Sequence, residues 1–288
     1  MRILEPARPA MNRESAEKAK LLAPLSDLAW TLWFSKSQMT TEPRSSPPKL
    51  DWYWAELNAS DHVLEIGPGR GILTEALCRA AGRVMAVEVD PRLHAYLETR
   101  QSEFPNVELV CEDALAYPVE SLPIGTVVVA NLPYYISTPL LFRLLDQRGL
   151  FPRMVLMLQD EVADRLVAKP GGSNYGVLSV MAQYAAEITK SFRVSAQCFR
   201  PRPEVASAVV LLRTKERTRL SLQDEVAFRA LVKAAFAHRR KTLVNSLRDE
   251  GYELHSVAET LQRLDIAPTR RAETLSVEDF LRLARALG

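Results

Sequence analysis

Between His62 and Gln159 the chain alternates two kinds of pattern. Short runs of apolar, mostly β-branched residues are separated by longer stretches in which apolar positions recur three and four apart. HVLEIG reads as a first strand ending in glycines, GILTEALCRAAG as a helix, RVMAVEVD as a second strand and PRLHAYLETRQSEF as a second helix. NVELVCED, GTVVVANLPYY and RMVLMLQ are the third, fourth and fifth strands, and DEVADRLVA is a helix. Strands that are apolar throughout, rather than alternating, belong to a parallel sheet covered on both faces. ITKSFRVS and VASAVVLLR are expected to close that sheet. From Leu222 the pattern turns helical to the end, as DEVAFRALVKAAFAHRRKTLVNSLRDEG, SVAETLQRLD and SVEDFLRLARAL, the last two following Ser, Thr or Asp-type caps. The boundary between an α/β unit and a small all-helical unit is expected near Thr214–Ser221.

The first sixty residues differ. They hold six of the 18 prolines and all four tryptophans, and TTEPRSSPP cannot sustain a helix or a ladder. Residues 1–49 are expected to form a divergent leader, disordered apart from a short helix around Ser15–Ala23, with a further helix over Lys49–Leu57. The expected units are therefore 1–49, 50–214 and 215–288. With 47% apolar and 25% charged residues over 288 positions, disordered, collagen-like and disulfide-scaffold classes are excluded. Cys78, Cys111 and Cys198 have no close pair and no metal spacing, so three buried thiols in a reducing compartment are expected, and no metal. No apolar run approaches the ~20 residues that span a bilayer, and no signal-peptide core is seen, so a cytoplasmic protein is expected. The formal charge of +2 hides polarity: Ser60–Ala130 holds 5 basic and 11 acidic residues, Lys190–Arg219 holds 8 and 2, and Arg229–Arg248 holds 6 and none.

Chemistry concentrates at the strand ends. Glu65-Ile66-Gly67-Pro68-Gly69-Arg70-Gly71 lies between the first strand and first helix, where glycines permit a tight turn and close ligand approach. Its G-x-G-x-G spacing differs from the G-x-G-x-x-G of NAD enzymes, which argues against a dehydrogenase. Glu88 closes the second strand and can accept both ribose hydroxyls of an adenosine-containing cofactor. Asp113, with Ala114 beside it, follows the third strand, where it can hold an adenine amine. Three such markers on successive strands, in a segment of negative charge, suit S-adenosylmethionine, a cation without phosphates. Asn131-Leu132-Pro133-Tyr134 ends the fourth strand. An adenine amine is a weak nucleophile, and the Asn131 side-chain oxygen with a Leu-Pro backbone carbonyl can accept its two hydrogens and aim it. Tyr134 can stack on a flipped base, and Phe199 in CFRPRP can supply the opposite face or simply plug the turn.

These segments resemble the small-subunit ribosomal RNA adenine N6,N6-dimethyltransferases of the KsgA type. The matching stretches are VLEIGPGRGILTEAL, VMAVEVD, CEDAL, NLPYYISTPLLF, MVLMLQDEVADRLVAKPGGSNYGVLSVMAQY, FRPRPEVASAVVLL and AFAHRRKTLVNSL, spread over residues 60–288. The resemblance implies a class I S-adenosylmethionine-dependent methyltransferase (Rossmann-like) domain followed by a small helical RNA-binding domain. It implies a monomeric enzyme that dimethylates two adjacent adenosines in the 3′-terminal hairpin of 16S rRNA, in the small ribosomal subunit or its late precursor. Glu65, Gly67, Gly69, Gly71, Glu88, Asp113, Ala114 and Asn131 would hold the cofactor. Asn131, Leu132, Pro133, Tyr134 and Phe199 would hold the adenine. The family opens with a basic K-x-x-G-Q-[NH]-F-L segment; here Ser35-Lys36-Ser37-Gln38-Met39 stands at about that distance, a departure that bears on cofactor retention. Two alternatives share these features: a 23S rRNA dimethylase of the macrolide-resistance type, and an RNA-binding assembly factor with little catalysis.

Ala235–Thr242 places Arg239, Arg240 and Lys241 on a predicted helix. Three consecutive cations cannot all face one backbone, whereas Lys233, Arg240 and Arg248 fall nearer one helical face. By themselves these cations suit a solvated helix face as well; with Arg200 and Arg202 near the expected mouth, the resemblance implies an RNA-backbone footprint that weakens with salt.

Overall fold

The computed structural model describes residues 57–199, 202–215 and 221–287. The expected helices around Ser15–Ala23 and Lys49–Leu57, the segment at Ser35–Met39, and Arg200 lie outside or almost wholly outside these residues. A seven-stranded sheet runs in the order β3-β2-β1-β4-β5-β7-β6. Its strands are β1 (His62–Ile66), β2 (Arg83–Glu88), β3 (Val107–Cys111), β4 (Val127–Asn131), β5 (Arg153–Gln159), β6 (Ala186–Val194) and β7 (Ser207–Thr214). The first five pair in parallel, and β7 lies antiparallel between β5 and β6. Helices α1 (Ile72–Ala80), α2 (Pro91–Glu98), α3 (Ser137–Asp146), α4 (Asp160–Val167) and α5 (Val177–Ala185) supply the crossovers.

Both faces of the sheet are buried, which explains the unbroken apolar strands. Leu64, Val128, Leu156 and Val210 point to the face covered by α3, α4 and α5, where Leu140, Leu144, Ala163 and Leu178 meet them. Val63, Val84, Val129 and Met157 point to the other face, with Leu77, Leu97 and Phe104. A second core joins Phe228, Leu231, Leu247, Leu261 and Phe280 from α6 (Leu222–Phe236), α7 (Leu243–Asp249), α8 (Leu254–Arg263) and α9 (Val277–Leu287). Helix α5 serves both cores: Leu178 and Ala182 face the sheet, Val180, Met181 and Tyr184 face the helices. The junction carries a buried ion pair between Arg148 and Glu225, at 2% and 7% side-chain exposure. Tyr184 donates to Glu225 at 2.7 Å, and the guanidinium lies 5.2 Å from its ring.

Three expectations need correction. The long helix over DEVAFRALVKAAFAHRRKTLVNSLRDEG is two helices, α6 and α7, separated by a turn over residues 237–242. The expected Ser256 region is already inside α8, whose cap is Glu253, accepting from the His255 and Ser256 amides. None of the three thiols is buried: Cys78 and Cys198 are half-buried and Cys111 is exposed, because it ends β3 at the sheet edge. Among the described residues no helix is long and apolar enough to cross a membrane.

Candidate active site

Register aligns the site. Ile66 pairs with Val87 on one side and Ala130 on the other, and Glu88 pairs with Cys111. The next residue on each strand therefore falls in one row: Gly67 sits between Glu88 and Asn131, with Asp113 just beyond β3. The chain leaves β1 through three left-handed glycines, Gly67 at φ 69°, Gly69 at 59° and Gly71 at 84°. Such angles cost an L side chain about 1–2 kcal/mol, so glycine permits the loop to turn back over the strand ends. A Cβ on Gly67 would stand 3.8 Å from both the Asn131 carbonyl oxygen and Pro133 Cδ. The glycine loop and the NLPY segment are thus in direct contact range.

Glu88 is 5% exposed and its carboxylate is held by two backbone donors. The Gly69 amide donates to Oε2 and the Asp90 amide to Oε1, each at 3.0 Å. A carboxylate so placed couples the glycine loop to the end of β2. Arg100 braces the same loop from behind by donating to the Arg70 carbonyl at 3.0 Å. It is fixed by a fork to Glu103 and lies 5.0 Å from the Phe104 ring centre. The Glu103 hydrogen bond holds the Arg100 pKa above its ordinary value, and the same bond holds Glu103 below the usual carboxylate range.

Asp113 is exposed, and its Oδ1 accepts from the Leu115 amide at 2.8 Å, which shapes the turn after β3. Ala114 is buried, and Arg143 of α3 donates to its carbonyl at 2.8 Å. Glu65 is fully buried within β1, beneath the loop. Asn131 is half-buried at the end of β4, and the Leu132 amide donates to Met157 of β5 at 3.1 Å. Tyr134 shares a 2.6 Å hydrogen bond with Ser207 at the start of β7, which fixes its ring at the rim. Tyr135 stands exposed beside it. Phe199 is 6% exposed, in the same apolar cluster as Val194, Met157 and Val209. A stacking role for it requires the ring to leave that cluster. Sequence reasoning passed over Arg100, Arg143 and Ser207: each acts through a backbone or hydroxyl contact that no spacing announces.

The expected basic footprint is rearranged. Arg239, Arg240 and Lys241 lie on the turn between α6 and α7, not on a helix, so the helical spacing of Lys233, Arg240 and Arg248 does not place them on one face. Arg239 donates to the Ser173 carbonyl at 3.1 Å. Lys241 and Arg248 both pair with Asp249, and the hydrogen bond from Lys241 pulls that carboxyl down to about 2. Lys233, Arg240 and Arg202 are exposed.

The family model described as ribosomal RNA adenine dimethylase matches residues 53–287. Ribosomal RNA small subunit methyltransferase A of Moorella thermoacetica is 43% identical over 244 residues, covering 81% of this chain and 85% of the relative. The protein of that name in Geobacter sulfurreducens is 45% identical over 236 residues, 80% of this chain and 86% of its own. A dimethyladenosine transferase structure from Plasmodium falciparum superposes with a TM-score of 0.70 at 32% identity, covering 80% of this chain and 91% of that one. The 23S rRNA methyltransferase ErmE does so at 0.63 and 28% identity, over 81% and 93%. The match runs through the sheet and the helices that follow it, and the chain belongs to the ribosomal RNA adenine dimethylase family.

Proposed function

We propose that the protein transfers methyl groups from S-adenosylmethionine to the N6 amines of two adjacent adenosines in the 3′-terminal hairpin of 16S rRNA. The observation that carries this reading is the single row of Glu88, Gly67 and Asn131, with Pro133 and Tyr134 at its edge. The residues fit the cofactor: left-handed glycines leave the loop open to close approach, and a nearly buried carboxylate at the end of β2 offers acceptors to a diol. When bound, the cofactor would supply an electrophilic methyl group. Glu65, Gly67, Gly69, Gly71, Glu88, Asp113, Ala114 and Asn131 would hold it.

The chain's own contribution is orientation. The Asn131 side-chain oxygen and the Leu132 carbonyl each accept one amine hydrogen, which fixes the nitrogen and turns its lone pair toward the incoming carbon. Preorganised acceptors cost no reorganisation during the reaction. Tyr134, pinned by Ser207, receives the base face, and loss of the proton follows transfer without a buried base. The helical unit from residue 215 onward, with Lys233 and the cations of the α6–α7 turn, grips the RNA backbone. The small ribosomal subunit in the cytoplasm is the working partner, and the protein acts as a monomer. The greater identity to the small-subunit methyltransferases than to ErmE supports the 16S target over a 23S one.

Calorimetric titration with S-adenosylmethionine separates the two halves of the site. Asn131→Ala, which loses one of several contacts, keeps most of its cofactor affinity, while Glu88→Ala loses at least tenfold and still binds small subunits. Equal cofactor affinity in wild type and Glu88→Ala would contradict the assignment.

A further inference from the structure

β3 is the outermost strand at one edge of the sheet, so among the described residues no strand lies beyond the turn that carries Asp113. From inside, Asp113 closes that turn itself. Its carbonyl accepts from the Ala116 and Tyr117 amides, each at 2.8 Å, and its Oδ1 accepts from the Leu115 amide. From outside, Arg143 of α3 holds it, donating through Nη1 to the Ala114 carbonyl at 2.8 Å and through Nη2 to the Tyr117 carbonyl. Ala114 and Tyr117 are both 7% exposed, and the Arg143 side chain is 23% exposed. Glu120 stands 3.7 Å from the guanidinium and is half exposed, a surface contact too weak to replace the two carbonyl bonds.

A planar guanidinium fixes two acceptors in one geometry, which a point charge does not. Here it spans the carbonyls of residues three apart, so it sets the curvature of the turn as well as its position. With Oδ1 committed to Leu115, Asp113 Oδ2 has no partner among the described residues and can accept one hydrogen of an amine. Asp113 is exposed. An exposed carboxylate distinguishes an amine from a carbonyl only while its direction is fixed; once free to turn, it swings to water and tolerates either group. Arg143 supplies that fixing.

Helix α3 adds a second link. The NLPY segment runs directly into it: Ser137, its first residue, donates through its hydroxyl to the Tyr134 carbonyl at 3.0 Å. Arg143 lies about 9 Å further along the same axis, at ~1.5 Å per residue. One rod therefore carries both the segment that receives the target adenine and the clamp on the Asp113 turn. We infer that Arg143 is a positioning residue for the cofactor's base. By clamping the Ala114 and Tyr117 carbonyls it aims Asp113 at the adenine amine and so gives the cofactor site its selectivity for adenine. The inference rests on the S-adenosylmethionine reading of the preceding subsection.

The test is calorimetric binding of S-adenosylhomocysteine and of S-inosylhomocysteine, in which a carbonyl oxygen replaces the N6 amine. The proteins are wild type, Asp113→Ala, Arg143→Met and Arg143→Lys, and the readout is the ratio of the two dissociation constants. A partly unfolded sample weakens both ligands by the same factor and leaves the ratio unchanged, so lost stability does not imitate lost aim. Wild type is expected to prefer the adenine ligand by about tenfold or more, the worth of one hydrogen bond to a charged group. Asp113→Ala and Arg143→Met lower the preference to about threefold or less, and Arg143→Lys, which keeps the charge without the fork, falls between. The full wild-type preference in either Arg143 variant overturns the inference, as does a preference that survives in Asp113→Ala. Wild type that binds both ligands equally well overturns the inference and leaves the cofactor reading standing; wild type that binds neither overturns both.

Discussion

Gly71 gives the sharpest test of how the glycine loop after β1 is built. It caps α1 at φ 84°, and its amide donates to the Pro68 carbonyl at 2.9 Å. A Cβ there would lie 2.7 Å from Leu97 Cδ2 and 3.4 Å from the Phe104 ring. Leu97 and Phe104 are both fully buried, so neither can give way freely. Gly71→Ala therefore incurs two costs: about 1–2 kcal/mol for a left-handed L residue and about 1–3 kcal/mol for overpacking. The sum is about 2–5 kcal/mol. Gly69 is the control, because its φ is 59° and nothing lies within 4 Å of its Cβ position. Gly69→Ala should lose only the backbone part, about 1–2 kcal/mol. Urea unfolding followed by far-ultraviolet circular dichroism measures both. Equal destabilisation in the two variants would refute the claim that Leu97 and Phe104 set the loop's position.

Asn131→Ala is expected to lower methyl transfer at least a hundredfold with the unfolding midpoint retained; near-normal turnover would remove the proposed amine alignment. Glu225→Ala strands the buried Arg148 guanidinium and should cost about 3–5 kcal/mol, whereas Arg148→Met with Glu225→Leu should recover most of it in the same unfolding assay. Burial pushes the Tyr175 and Tyr184 phenols from 10.0 up to about 12, helped at Tyr184 by its bond to Glu225. Above pH 10 the unfolded phenol releases its proton while the folded one keeps it, so the native state binds more protons and stability falls as pH rises toward 12. The slope is at most about 1.4 kcal/mol per pH unit for each phenol, and Tyr184→Phe should show a shallower alkaline decline.

The parts of the molecule that could be read from the sequence are those where local pattern and tertiary environment agree. β1 to β5 are apolar on both faces because both are covered, and the glycines after β1 mark a turn that other residues enter only at a cost. Helix α5 was harder to read: VLSVMAQYA is apolar around most of its circumference because it packs between two cores, so no single face stands out. The break after Phe236 carries no glycine or proline. It is set by distant partners, with the Leu243 amide donating to Arg270 at 2.8 Å and Ser246 donating to the Ala234 carbonyl at 2.8 Å. Those contacts convert an expected helical stripe of cations into a turn that faces the GGSNYG loop. Cys111 ends an edge strand, and strand order is not written in spacing. At the site, the acidic and glycine positions were legible because chemistry restricts them to a few residue types. The supports from Arg100, Arg143 and Ser207 were not, since each depends on which strands and helices become neighbours.

The most direct measurement is mass spectrometry of digested rRNA after incubating the protein with S-adenosylmethionine and small ribosomal subunits that lack the modification. The account predicts N6,N6-dimethyladenosine at two adjacent positions of the 3′-terminal hairpin of 16S rRNA, and none in the Asn131→Ala reaction. Subunits that are bound but left unmethylated, or product appearing only in 23S rRNA, would contradict it.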